Sequence, residues 1–225
     1  MVYVRYLGHS AFHIQIQGVE IYLDPWLDST MESMPRLVSP AIKSNEIKKA
    51  DLILVSHEHF DHSDPVSVKT IVQRTAAKVY APQETLNLFD LSSRSLNPVE
   101  VGAEFNALGL NISVVPAKHS NCLNPVGFVI KGEGKSIYFA GDTYDFYDMV
   151  NISVDCALLP IGGTYTMDIL SSIKALKELR TKYVIPMHYN TFEKIKTNVN
   201  DFESRVKSST KVDPILLNCG QSVQF

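Results

Sequence analysis

Cysteine is scarce in this sequence: Cys122, Cys156 and Cys219 are the only three among 225 residues. An odd, widely spaced set argues against a disulfide framework and fits a reducing compartment. Cys156 lies in an apolar run and reads as core, whereas Cys122, three residues after His119, stays open as a site residue. Long hydrophobic runs are also missing. No stretch approaches the ~20 consecutive apolar residues that cross a bilayer, so no membrane partner is expected. Nor does charge of one sign accumulate. The 21 basic and 24 acidic residues give a net charge of −3 and are mixed along the chain. Nucleic-acid binding needs a clustered basic face, so none is expected. A small-molecule substrate, phosphorylated or otherwise anionic, stays open because one or two residues could hold it. The start, Met1 to His9, reads as a strand entering a loop and lacks the charged and apolar regions of a signal peptide, which points to the cytoplasm.

Apolar residues make up 45% of the chain, enough to build one core, so a single domain over residues 1–225 is expected. Strand-like runs fall at 2–6, 12–17, 21–23, 52–55 and 78–80, with helical periodicity over 65–74 and around 82–91. The second half repeats the plan, with strands at 112–115, 126–130, 136–139, 156–159 and 183–185. Its helix runs over 168–179, with apolar spacing at Ile169, Leu170, Ile173, Leu176 and Leu179. Two β-rich halves with intervening helices predict two packed sheets covered by helices, a layered α/β arrangement.

The polar residues that carry chemistry sit where apolar runs end. Ile53-Leu54-Val55 leads into Ser56-His57-Glu58-His59-Phe60-Asp61-His62; three further runs lead into His119, Asp142 and His188. Buried strands fix the loops that follow them, and α/β scaffolds place chemistry there. Four potential ligands within six residues, His57-x-His59-x-Asp61-His62, offer the imidazole and carboxylate donors that suit zinc, manganese, iron or nickel. A solvated polar loop is the bland alternative for the segment. Individually, Asp142 could cap a helix, His188 could be a hydrogen-bonded core histidine, and His119 could be a loop residue. Their joint occurrence in this order makes a metal site the stronger reading.

In that order the residues resemble the metallo-β-lactamase superfamily over essentially the whole chain. The resemblance implies a four-layer αββα sandwich of the metallo-β-lactamase fold. It implies that His57, His59 and His119 hold one divalent metal ion, that Asp61, His62 and His188 hold a second, and that Asp142 bridges them. A bridging hydroxide would then be the nucleophile, with zinc the leading candidate for both ions. Asp24 would support the metal loop from behind. Gly8-His9-Ser10, Asp24-Pro25, Ala140-Gly141-Asp142-Thr143 and Pro186-Met187-His188-Tyr189-Asn190 together resemble a subgroup of small metal-dependent hydrolases related to L-ascorbate-6-phosphate lactonases. In that subgroup a loop histidine approaches the metal pocket. His9 is accordingly a candidate for substrate contact or proton transfer, weighed evenly against a turn histidine; Asp61 is the other catalytic candidate.

Tyr189, Asn190 and Thr191 adjoin His188 and are candidates for the mouth. Thr164 lies in Pro160-Ile161-Gly162-Gly163-Thr164, a turn whose amides could hold an anion; a plain helix start capped by Thr166 is the competing reading. Two other functions compete: a non-catalytic metal-stabilised binding module, and a diiron redox protein of the same fold. The latter carries an acidic residue where this chain has His59 and normally adds a flavin domain. Relatives often assemble, so a homo-oligomer is among the expectations.

Overall fold

A computed structural model describes all 225 residues. Two seven-stranded sheets face each other. The first contains β1 (Val2–Gly8), β2 (Ala11–Ile16), β3 (Val19–Leu23), β4 (Leu52–Leu54), β5 (Lys78–Ala81) and β6 (Leu96–Pro98), in that spatial order. The final strand of the chain, β14 (Ser222–Gln224), joins outside β1. The second sheet runs through β7 (Glu104–Ala107), β8 (Leu110–Pro116), β9 (Val126–Gly132), β10 (Lys135–Phe139), β11 (Ser153–Pro160), β12 (Arg180–Met187) and β13 (Asp213–Pro214).

Each sheet begins as an antiparallel meander and becomes parallel, at β3–β4 and at β10–β11. Parallel neighbours need crossovers, and helices supply several of them. Helix α1 (Pro65–Thr75) starts on an Asp64 cap with proline at its first position, and its Val68, Ile71 and Val72 cover the outer face of β4 and β5. A single turn, α2 (Gln83–Leu86), is all that forms within the 82–91 stretch where periodicity suggested a longer helix. Helices α3 (Ile169–Glu178) and α4 (Val199–Ser209) cover the second sheet. Between the sheets, alternate residues such as Val4, Ile14, Ile21, Ile112, Phe128, Ile137 and Leu158 form one continuous apolar core. The result is the four-layer αββα sandwich. No helix is long and apolar enough to cross a membrane.

Because β1, β3, β4, β8, β10 and β12 point the same way within their sheets, their carboxyl ends meet along one edge of the sandwich. Every loop with a candidate ligand leaves from that edge. His9, Asp24 and His188, each just after a strand, hold positive φ angles of 59°, 38° and 54°. Non-glycine residues adopt this conformation rarely, and such strain concentrates at functional sites.

Candidate active site

The motif loop after β4 wraps back on itself, and its supports come from behind. Asp24 is fully buried; Oδ1 accepts from the Ser56 amide at 2.7 Å, while Oδ2 accepts from Ser56 Oγ and from His62 Nδ1, both at 2.6 Å. The Ser56 hydroxyl, donating to Asp24, accepts in turn from His57 Nδ1 at 2.9 Å. These contacts place a proton on Nδ1 of both His57 and His62, so that each ring in its neutral form turns an Nε2 lone pair inward. Both Nε2 atoms are buried without a hydrogen-bond partner, as is Asp142 Oδ1. Buried nitrogen and oxygen atoms in this state are costly unless something outside the protein pairs with them.

His59 donates from Nε2 to the Asn121 carbonyl at 3.0 Å, so its Nδ1 lone pair faces His119 Nε2 at 3.1 Å. Tetrahedral neighbours around zinc are about 3.3 Å apart given metal–nitrogen bonds of ~2.0–2.1 Å. Donor atoms of His57, His59 and His119 therefore form one compact group, and those of His9, Asp61, His62 and His188 form another. Asp142 faces both: its Oδ1 lies 3.4 Å from His62 Nε2, and its Oδ2 lies 3.0 Å from His188 Nε2 and 3.7 Å from His119 Nε2. Asp24 also lies close to His57 and His62. Its oxygens are already engaged by three donors, so it acts as a support and not as a ligand.

Electrostatics follow from this crowding. Burial opposes charge on every group; it pushes His57 well below the ordinary imidazole range and lowers His119 as well. Against the same burial, Asp142 and Asp61 hold the His62 imidazole well above its usual range, and His188 and His62 hold Asp142 well below the carboxylate range. Burial pushes Asp24 up. These side chains on their own keep a proton where a cation would sit.

His9 is brought to the site, but not to its open face. A bulge between Tyr6 and Gly8 turns the end of β1, and the ring is wholly buried against Trp26, His188 and Phe192. Its Nε2 meets Asp61 Oδ2 at 3.1 Å and its Nδ1 meets the Thr191 hydroxyl. With Thr191 donating to Nδ1, Nε2–H donates to Asp61. Burial and the neighbouring His188 lower the His9 pKa to about 3, so the ring is neutral at physiological pH.

An open cleft of about 260 Å³ lies over the ligand groups. His59, Asp61, His119, Asp142 and His188 line it together with Ser120 and Asn121, and Met34, Phe60, Tyr165 and Phe192 complete the lining as one packed apolar group. A larger crevice of about 680 Å³, bordered by Pro82, Glu84, Pro98 and Glu100, has none of the histidines in its wall and lies elsewhere.

The other candidates for substrate contact lie off this cleft. Tyr189 and Asn190 line a separate crevice with Tyr6 and Cys219, and Asn190 Oδ1 accepts from the Thr197 amide. Thr164 is exposed and donates to the Lys194 carbonyl. Asp168, not Thr166, caps α3, its carboxylate accepting from the Ser171 amide, so the helix start is already occupied by an anion. Gly162 is needed for packing: a Cβ there would meet the His188 carbonyl at 2.1 Å. Cys122 lies beside the His119 carbonyl with its thiol pushed by burial to about 12, and Cys156 is core.

Sequence reading misses Asp64 and Ser56, and it places Thr191 at the mouth, where the structure instead sets its hydroxyl against His9 Nδ1. Asp64 caps α1 and also accepts from the backbone of Asp28 and Ser29, which ties the segment after Asp24 to the motif loop. Its position immediately before Pro65 is a capping signal that could have been read.

Fold and site together define a metal-dependent hydrolase of layered α/β type. The chain belongs to the metallo-β-lactamase superfamily, whose β-lactamase superfamily domain matches residues 3–188. It is 35% identical to a UPF0173 metal-dependent hydrolase of Carboxydothermus hydrogenoformans, covering 90% of this chain and 91% of that protein. It is also 35% identical to one from Thermofilum pendens, with both chains covered in full. Among solved structures it is similar to Igni18, a metallo hydrolase from Ignicoccus hospitalis, at 35% identity and a TM-score of 0.81, covering 100% of this chain and 98% of that one.

Proposed function

We propose that the protein is a dinuclear hydrolase acting on an ester, lactone or phosphodiester-type bond of a small molecule. In this reading His57, His59 and His119 hold one divalent ion, Asp61, His62 and His188 hold the other, and Asp142 is shared. The observation that carries it is the placement of Asp142 between the two donor groups, with lone pairs of His57 and His62 turned inward beside it. Imidazole and carboxylate donors without cysteine favour zinc, with manganese, iron and nickel able to take the same set. When bound, such ions supply Lewis acidity, lowering the pKa of water from 15.7 to about 7 and polarising the scissile group.

The chain's own residues do the rest. Asp24 and Ser56 fix the tautomers of His62 and His57, so that both rings present acceptor nitrogens. His9 acts as a positioning residue, a neutral donor that holds Asp61 in one orientation while Thr191 holds His9. The cleft leaves the ligand set accessible from one side, and this favours catalysis over a closed, purely structural metal site. The test is chelator-stripped protein assayed on chromogenic aryl esters and a bis-aryl phosphodiester. Activity should vanish on stripping and return with zinc or manganese. Metal-replete protein that turns over no ester, lactone or phosphodiester would sink the hydrolytic reading.

A further inference from the structure

Beyond the residues assigned to metal, the lining of the cleft carries no charge. Of its lining residues not assigned to metal, Met34, Phe60, Tyr165 and Phe192 are apolar or aromatic, and Ser120 and Asn121 are neutral; no lysine or arginine is present. We propose that the site selects a compact, uncharged, apolar group next to the reacting bond, seated against the wall of Met34, Phe60, Tyr165 and Phe192. The proposal rests on the hydrolase reading for the position of the reacting bond, and concerns what lies beside it.

Four separate segments contribute to the wall, and a common backing holds it. Trp26, the only tryptophan, is fully buried behind it, with ring centroids 5.7 Å from Phe60 and 5.5 Å from Phe192, and the latter two are 6.2 Å apart. Ile195 completes the buried cluster, against which Met34, Phe60 and Tyr165 lean while remaining partly exposed to the cleft. Aromatic packing of this kind fixes ring positions, so the surface offered to a ligand is preformed. Arg36 is a nearby cation, but its guanidinium is stacked 4.1 Å over Trp26 and donates to the Trp26 and Val38 carbonyls. It braces the backing and does not line the cleft.

An anionic tail would therefore find no cationic partner apart from the metal ions, which the reacting group itself would occupy. The glycine turn beside Tyr165 offers no alternative, because Asp168 already caps the helix start. Volume sets the scale. At about 260 Å³ the cleft falls below the ~300–1,000 Å³ typical of sites for drug-sized ligands, so the group is small.

The test uses zinc-loaded protein and hydroxamates, which anchor on metal and differ only in their side arms. Dissociation constants are measured for acetohydroxamate, butyrohydroxamate, hexanohydroxamate, phenylacetohydroxamate and succinyl monohydroxamate. Affinity should rise along the aliphatic series by up to about fourfold per methylene, the equivalent of ~0.8 kcal/mol, until the arm fills the cleft. The phenylacetyl arm should bind at least about tenfold more tightly than the succinyl arm, the ratio set by two or more buried methylene equivalents. Met34→Ala and Tyr165→Ala should flatten the series, and Met34→Lys should shift preference toward the succinyl arm. Equal affinities across the arms, tighter binding of the succinyl arm by the wild type, or binding of none of them would overturn the proposal. The two readings separate cleanly. A steep series on protein that hydrolyses nothing removes the hydrolytic reading and leaves the wall, while a flat series on an active enzyme does the reverse.

Discussion

Replacing Asp24 with asparagine removes a charge and changes almost nothing in shape. Asparagine also tolerates the positive φ of 38° at this position, so the backbone is not strained further. Its Oδ1 can still accept from the Ser56 amide, but an NH₂ group now stands where Oδ2 accepts from Ser56 Oγ and His62 Nδ1. Two donors then face each other across 2.6 Å. His62 relieves the conflict only by moving its proton to Nε2, the nitrogen turned toward Asp142. Loss of a hydrogen bond to a charged group costs about 1.5–3 kcal/mol. Burial already disfavours the Asp24 carboxylate, which offsets part of that, so we expect folding to weaken by only about 1–3 kcal/mol. Metal affinity should fall more visibly, by roughly 10–100-fold, because the neutral ring now keeps its one proton on the nitrogen that must offer a lone pair. Zinc competition against a chromogenic chelator, with parallel melting curves of stripped and loaded protein, measures both. Asp24→Asn protein that binds zinc as tightly as the wild type would refute this account of the supporting shell.

Gly162→Ala should place a methyl group 2.1 Å from the His188 carbonyl and destabilise the protein by about 1–3 kcal/mol through overpacking. Thermal unfolding should show this, and weaker metal retention should follow as His188 is displaced. In stripped protein, His62 is held above its ordinary range and Asp142 below, and the signs decide the pH profile. The His62 contribution is full below about pH 6.5 and is lost as pH rises through its folded pKa; that of Asp142 is full above about pH 4 and is lost as pH falls through its own. Zinc must displace the His62 proton, so its apparent affinity should climb by up to tenfold per pH unit while that proton remains bound. Zinc titrations between pH 6 and 8, with proton release measured, would contradict this if affinity were flat.

Much of the architecture was readable because it rests on local rules. Continuous apolar runs marked β4, β8, β10, β11 and β12, and helical periodicity over 65–74 marked α1. What escaped was weakly patterned. β6 and β7 are short edge strands at the sheet margins, one ending in proline and the other carrying alternate polar residues. α4 buries only Phe202 and Val206, too few to announce a helical face. The site divides the same way. Ligand-type residues stand out by type, so His57, His59, Asp61, His62, His119, Asp142 and His188 could be singled out from spacing and order, and the fold brings them together. Tyr189, Asn190 and Thr191 read as mouth residues because they follow His188 in sequence, but with positive φ angles at His188 and Asn190 all three line the separate crevice. The wall of Met34, Phe60, Tyr165 and Phe192 left no trace, since apolar residues in four separate loops have no period to detect.

If Asp142 joins two metal ions, the metal content per chain must show it. Protein purified without chelator and then equilibrated with zinc should contain two ions per chain. Asp61→Ala should retain one ion, and Asp142→Ala should bind both more weakly. A wild-type protein that cannot be raised above one ion per chain, or that loses no ion on Asp61→Ala, would rule out the two-metal centre.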